Sequence, residues 1–275
     1  MSDVYICGVC LNTTMHHKNS HVVDCRLDQI KYLSERYVLM LFTLPFRILG
    51  MLPGQFAQVR IDGAENTFLR RPISICFVPS PTEIWLLVQV VGEGTKKLAS
   101  LQAGSIVNMV LPLGKSFSIP MDRRRPLLVG GGVGVAPMLF LGKQLMDTGL
   151  YDKSSIHFLL GARSKSDLVL LEEFEKYGTV HCTTEDGSYG TKGYVTQHPI
   201  LQNQSFDQVY TCGPKPMMQA VARYAAEKEI DCEVSLENLM ACGIGACLCC
   251  VEDTTEGHLC TCTEGPVFNT KRLKW

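Results

Sequence analysis

Six of the thirteen cysteines in this 275-residue chain fall between Cys242 and Cys262. Four of them read Cys242-x4-Cys247-x2-Cys250-x11-Cys262, the spacing with which thiolates wrap a [2Fe–2S] cluster, so one-electron transfer is the first chemistry suggested. A zinc site wants two short Cys/His pairs, typically C-x2-4-C, well apart from one another. Here Cys242 stands five residues ahead of Cys247, and Cys260-Thr261-Cys262 is too tight for a second pair. Gly243 and Gly245 add to the iron–sulfur reading, because a loop around an anionic cluster needs residues without side chains that let backbone N–H groups reach the sulfides. Cys249 is a spare thiol, and spacing alone leaves Cys260 and Cys262 competing for the fourth iron bond.

A second set of residues has the chemistry of nucleotide binding. Gly130-Gly131-Gly132-Val133-Gly134-Val135-Ala136-Pro137 follows an apolar run and opens a helical pattern. Glycines at 131, 132 and 134 permit backbone approach to a pyrophosphate, and Pro137 suits a first helical turn, where a missing N–H costs little. The loop departs from G-x-G-x-x-G, and a tight turn without ligand would use the same residues. Cys212-Gly213-Pro214 ends a later apolar run; a buried cysteine is most often inert packing, but beside the glycine loop Cys212 is expected to face a nicotinamide. Arg71-Pro72-Ile73-Ser74 offers a guanidinium for bidentate phosphate contact and a hydroxyl for a flavin nitrogen or carbonyl, although a solvated edge strand explains these four equally well. Gly92-Glu93-Gly94-Thr95 precedes a short helical run, Lys96 to Leu101, and makes a second helix-start anion site.

The segments around these residues divide the chain into parts. A hydrophobic content of 46%, a charged content of 19% and a formal net charge of -1 describe a soluble globular chain, with no electrostatic case for nucleic acid or an anionic membrane. Tyr37 to Leu52 and Pro126 to Gly142 are the most apolar stretches, but Pro45 and Arg47 break one and five glycines the other, so neither reads as a membrane span. An odd cysteine count without a signal-peptide pattern favours a reducing cytoplasm. Residues 1–20 read as an extension, in which Cys7-x2-Cys10 with His16 and His17 lacks a defined second ligand pair. Six β-rich runs between His21 and Leu111, separated by turns such as Leu52-Pro53-Gly54, predict an antiparallel barrel over 21–121. From Asp122-Arg123-Arg124-Arg125 onward, strands at Pro126 to Gly130, Ser155 to Gly161, Thr179 to Thr184, Gln208 to Cys212 and Cys232 to Leu236 alternate with helical segments at Ala136 to Thr148, Leu168 to Tyr177 and Pro214 to Lys228. This predicts a doubly wound α/β domain with a parallel sheet over 122–236. The cysteine-rich remainder, 237–275, is too small for a core of its own and is expected to be stapled by its metal.

Arg-Pro-x-Ser, Gly-x-Gly-Thr, the Gly-Gly-x-Gly-x-x-Pro loop and Cys-Gly-Pro, in this order, resemble the ferredoxin–NADP reductase superfamily, in which a barrel binds flavin and an α/β domain binds nicotinamide. The stretch Met240 to Cys250, closed by Cys262-Thr263-Glu264-Gly265-Pro266-Val267-Phe268, narrows the resemblance to the electron-transfer subunits of NAD-dependent dihydroorotate dehydrogenase B. The resemblance covers residues 21 to 269. It implies FAD held by Arg71, Pro72, Ile73, Ser74, Leu87, Val88, Gln89, Gly94 and Thr95, and NAD(H) held by Gly131, Gly132, Gly134, Pro137, Cys212, Gly213 and Pro214. It also selects Cys262 over Cys260, giving Cys242, Cys247, Cys250 and Cys262 as iron ligands. Ile73 stands where relatives often carry an aromatic residue and Gln89 where they often carry Arg. The resemblance further implies a partner, the FMN-containing catalytic subunit, two of each chain forming a heterotetramer in pyrimidine biosynthesis; electrons would enter at the cluster, pass to FAD and leave to NAD. Two other functions fit the motifs. One is the small subunit of an NADH-dependent ferredoxin:NADP or sulfide-type oxidoreductase, told apart by its partner. The other is a non-enzymatic iron–sulfur redox sensor, in which NADH would fail to bleach the flavin.

Overall fold

The structure is a computed structural model that describes residues 20–122 and 125–275. Residues 1–19 of the proposed extension, with Cys7, Cys10, His16 and His17, and Arg123 and Arg124 of the polar run lie outside the described residues.

Six strands, β1 (His21–Tyr32), β2 (Tyr37–Thr43), β3 (Phe56–Val59), β4 (Arg71–Ser80), β5 (Glu83–Gln89) and β6 (Ile106–Leu113), close an antiparallel barrel in the order β1-β2-β5-β4-β3-β6. Alternation writes this wall. In β1, Val23, Cys25 and Leu27 are buried while Val22, Asp24 and Arg26 are exposed, as a strand with one wet face requires. Helix α1 (Glu93–Ala99) follows β5.

The second unit is a seven-stranded sheet. Its strands are β7 (Pro126–Gly131), β8 (His157–Ala162), β9 (Thr179–Thr184), β10 (Thr191–Lys192), β11 (Gln208–Cys212), β12 (Asp231–Ser235) and, from beyond the cysteine loop, β15 (Val267–Asn269). A hairpin, β13 (Val251–Thr254) with β14 (Gly257–Cys260), stands apart from it. The order β10-β9-β8-β7-β11-β12-β15 reverses direction between β7 and β11, and every pairing is parallel except β12 with β15. Strands β7 and β11 are buried throughout, as a sheet covered on both faces demands. The helices are α2 (Val135–Asp147), α3 (Leu171–Phe174), α4 (Ile200–Asn203) and α5 (Lys215–Glu227).

Two sequence expectations change. The helical pattern from Leu168 to Tyr177 contracts to the single turn of α3, because Leu170 takes a left-handed φ of 61° and Leu168 is extended. The sheet also gains β15, whose three residues are too few to show periodicity. Among the described residues, no helix is long and apolar enough to cross a membrane.

Helix α2 lies at the seam of the two units. Leu39, Cys76, Phe77 and Leu87 of the barrel share one apolar cluster with Leu128, Met138, Leu139 and Phe158, while Phe140 packs with the barrel interior. The glycine loop that opens α2 is thus held from both sides.

Beside β8 and β9, three imidazoles stack. His157 Nδ1 lies 3.3 Å from His181 Nε2, and His181 meets His198 edge-on at 5.3 Å between ring centroids. Burial, then the charges of His198 and His157, lowers His181 from 6.5 to about 4. The unfolded chain takes up this proton near 6.5 and the folded chain only near 4, so between those values the unfolded state binds more protons and stability is lost as pH falls. His181→Phe is expected to flatten the loss of stability between pH 6.5 and 4 by about 2 kcal/mol, allowing for solvent screening. Urea unfolding of both chains at the two ends of that window checks this.

Candidate functional site

The crevice at the reversal of strand order is where a doubly wound sheet binds its ligand. Here it is a cleft of about 460 Å³. Gly131, Gly132 and Gly134 after β7 and Gly213 and Pro214 after β11 form its floor. The two loops touch so closely that a Cβ on Gly134 would stand 2.4 Å from the Cys212 carbonyl oxygen, and one on Gly131 would stand 2.5 Å from Met217 Sδ. Side-chain-free residues are required there for packing, and the same absence leaves backbone N–H groups facing the cleft at the start of α2.

Pro137 is buried within α2 and does not line the cleft. Nor does Cys212. Its side chain lies beneath the floor at 1% exposure, and burial, reinforced by the charge of Glu237 and opposed by the Ser235 hydroxyl, pushes the thiol well above its ordinary range. It stands in the structure as a neutral thiol.

The cleft also gathers residues from outside the glycine and Cys-Gly-Pro motifs, Gln89 of the expected flavin set among them. Arg36, Tyr37 and Gln89 reach it from the barrel, and Arg163, Asp167, Glu185 and Glu237 from the carboxyl side of the sheet. Arg36 pairs with Asp167 at 3.1 Å across the seam. Glu237 is open to the cleft and enclosed by protein on its other sides, and that desolvation raises its carboxyl. Burial raises the Tyr37 phenol, Asp167 adding to the effect. Glu237 had one legible signal, its place two residues after β12; Arg36 and Tyr37, at the start of an ordinary strand, had none.

On the barrel, Arg71, Pro72, Ile73 and Ser74 open β4, all partly exposed. Arg71 Nη1 donates to the Leu69 carbonyl at 2.8 Å, and its Nε stands 3.3 Å from where a Cβ on the buried Gly94 would be. Guanidinium and helix start therefore share one cradle. The Thr95 hydroxyl closes that turn, accepting from the Val91 and Gly92 N–H groups at 2.9 and 3.0 Å and donating to the Gly92 carbonyl at 3.0 Å. Leu87 faces the seam and Val88 the barrel interior, which leaves their backbone, and the Gln89 side chain, to meet a ligand.

The cysteine segment rests on the outer wall of β3 and β6. Phe56 and Leu113 pack with Cys250 and Cys262, and Phe56 pairs in register with Ser74 on β4. The thiols stand near one another in the loop, Cys242 beside Cys247 and Cys262 beside Cys250. Backbone N–H groups point at the sulfurs, from Ile244 to Cys242 Sγ at 3.4 Å, from Gly245 to Cys262 Sγ at 3.1 Å and from Cys262 to Cys250 Sγ at 3.3 Å. Burial raises the Cys242 thiol, but the N–H groups of Ile244, Cys247 and Ala246 and the Cys247 thiol outweigh it and bring it down to about 7. Cys260 also touches Cys250, but it ends β14 and its carbonyl receives the Thr263 and Glu264 N–H groups, at 3.1 and 2.8 Å. Among the described residues, no three His, Cys, Asp or Glu side chains converge on a site for one ion. Two irons sharing four thiolates need a wider, paired arrangement, and the donor set fits that group.

A closed barrel, a doubly wound sheet with its crevice facing the barrel and a thiol-lined loop on the barrel wall together define an iron–sulfur oxidoreductase component of the ferredoxin–NADP reductase fold. Residues 128–223 match the model of the oxidoreductase NAD-binding domain, and residues 237–274 match the iron–sulfur cluster binding domain of dihydroorotate dehydrogenase B. Two dihydroorotate dehydrogenase B (NAD(+)) electron transfer subunits are each 40% identical to the chain. That of Shouchella clausii aligns over 78% of this chain and 84% of its own length, and that of Listeria monocytogenes over 82% and 89%. A chain from a structure of NADH-dependent reduced ferredoxin-NADP oxidoreductase is 28% identical with a TM-score of 0.80, over 91% of this chain and 90% of that one. The chain belongs to the family of dihydroorotate dehydrogenase B electron transfer subunits.

Proposed function

We propose that this chain carries electrons between a dihydroorotate-oxidising partner and NAD+, in pyrimidine biosynthesis. The observation that carries the reading is the register of β3 with β4: Phe56, packed on Cys250 and Cys262, lies directly opposite Ser74 in the flavin segment. Thiols and flavin segment thus share two paired strands of one wall, and the nucleotide cleft opens where Gln89 of β5 meets the glycine loop.

Cys242, Cys247, Cys250 and Cys262 would hold the [2Fe–2S] group. Arg71 to Ser74, Gly94, Thr95 and Leu87 to Gln89 would hold FAD, and Gly131, Gly132, Gly134, Gly213 and Pro214 the dinucleotide. When bound, the flavin exchanges a hydride with nicotinamide and single electrons with an iron–sulfur centre. The protein's own work is orientation. Arg71 and the first turn of α1 would hold the flavin's phosphates, and Ser74 would offer its hydroxyl to the ring. The loop before α2 receives the pyrophosphate on backbone N–H groups. Glu185, at the carboxyl end of β9, is the acid available to the ribose 2′-OH that the end of β8 lacks. The residues divide into the barrel, 21–121, the nucleotide domain, 122–236, and the cluster segment, 237–275, and the chain works in the cytoplasm.

The relatives that this chain resembles are named electron transfer subunits, a division that leaves the dihydroorotate chemistry to a partner chain. The partner is therefore an FMN-containing catalytic subunit, two copies of each chain forming a heterotetramer. Co-expression with such a subunit is expected to yield NAD+-linked dihydroorotate oxidation that neither chain shows alone. Dihydroorotate oxidation by this chain on its own would overturn the division of labour, and co-purification with a large glutamate-synthase-like flavoprotein would move the chain to the reduced-ferredoxin:NADP type of complex.

A further inference from the structure

Among the described residues of the barrel strands, Gln58 is the one whose buried polar side chain finds no hydrogen-bond partner. It lies on β3 two residues after Phe56 and so on the same outer face, while Ala57 and Val59 fill the barrel interior. Its exposure is 0%, and among the described residues neither Nε2 nor Oε1 has a hydrogen-bond partner. The backbone carbonyl is used, accepting from Arg70 Nη1 at 3.2 Å; the carboxamide is not.

The side chain is pressed against Gly243, the residue after Cys242. A Cβ on Gly243 would stand 2.6 Å from Gln58 Cγ and 2.8 Å from Nε2, and Gly243 itself takes a left-handed φ of 73°. The loop accordingly turns its side-chain-free residue onto the amide. A carboxamide carries two N–H donors, and buried polar groups are almost always bonded. An amide walled in with nothing to bond marks a place where an acceptor is expected. Thiolate and sulfide are the acceptors this loop would enclose, and they are anionic.

Building on the reading of the loop as a [2Fe–2S] site, we propose that Gln58 is a positioning residue that donates an N–H from the barrel wall to a sulfur of that group and so holds its reduction potential up. A donor stabilises the more negative, reduced form over the oxidised one. Because Gln58 pairs in register with Pro72, the donor stands beside the flavin segment, and the potential would be set from the wall that carries the flavin.

The test uses the full chain reconstituted with iron, sulfide and FAD, followed by EPR-monitored redox titration. Gln58→Met is expected to keep iron and flavin content while the cluster's reduction equilibrium shifts about tenfold toward the oxidised form, a fall of ~59 mV for one electron, with the flavin couple unmoved. Should Gln58→Met fail to fold, Gln58→Leu, close in volume and without any donor, is expected to move the potential in the same direction. An iron-loaded variant at the wild-type potential, or one in which only the flavin couple moves, overturns the Gln58 assignment alone. A wild-type chain that binds no iron and sulfide overturns instead the reading of the loop.

Discussion

Cys262→Ser is expected to lower bound iron by about tenfold or more and to abolish the iron–sulfur EPR signal, whereas Cys260→Ser keeps iron within about twofold of the parent chain. The two cysteines are separated by one residue, so the contrast rests on what each does in the fold. Cys262 is fully buried, packs with Phe56, Leu113 and Cys250, receives the Gly245 N–H at its sulfur and sends its own N–H to Cys250 Sγ. Cys260 closes the β13–β14 hairpin opposite Val251, with its carbonyl occupied by the following turn. Gly245 belongs to the loop between Cys242 and Cys247, so its bond to Cys262 ties the distal thiol to the loop of the proximal ones. Iron and acid-labile sulfide analysis of the two variants decides the matter; retention of iron by Cys262→Ser together with its loss from Cys260→Ser would reverse the assignment.

The second large effect concerns the nucleotide. Gly134→Ala is expected to raise the Kd for NADH about tenfold or more while FAD content stays unchanged. The added methyl has nowhere to go, since the Cys212 carbonyl oxygen lies 2.4 Å and the Gly213 nitrogen 2.5 Å from its position. Two loops that must flank one pyrophosphate would be forced apart, and overpacking of this kind costs about 1–3 kcal/mol, where 1.4 kcal/mol is about tenfold in affinity. NADH titration under anaerobic conditions, read by bleaching of the flavin absorbance, checks it. Gly149 offers the control: it carries a φ of 70°, but a Cβ there meets nothing within 4 Å, so Gly149→Asn is expected to leave the Kd unchanged.

The barrel was legible because short β-rich runs recur at even spacing between turns such as Leu52-Pro53-Gly54, and a strand such as β1 alternates buried with exposed residues. The sheet was legible because strands such as the apolar β7 run into glycine and alternate with helical segments. What escaped was set by contacts between distant segments. Val267–Asn269 becomes a strand only because β12 is there to receive it. The pattern of Leu168 to Tyr177 overstated a helix because a left-handed Leu170 is a tertiary choice. The cysteine and glycine motifs could be read because spacing encodes ligand geometry. Arg36, Tyr37, Asp167, Glu185 and Glu237 meet in one cleft from separate elements, and no local pattern predicts such a meeting. Gln58 read as one polar residue in a strand; only the placement of Gly243 against it reveals that its amide is walled in.

The pairing of β15 with β12 also governs how this protein keeps to itself. A parallel sheet that stopped at β12 would offer a row of open N–H and C=O groups to any other strand in solution, the template from which aggregation grows. Both margins of the sheet are instead closed by very short strands, Thr191–Lys192 on one side and Val267–Asn269 on the other, and the second is borrowed from the segment that carries the thiols. Loss of that strand would bare β12, so the segment that carries the thiols also shields the sheet from clumping.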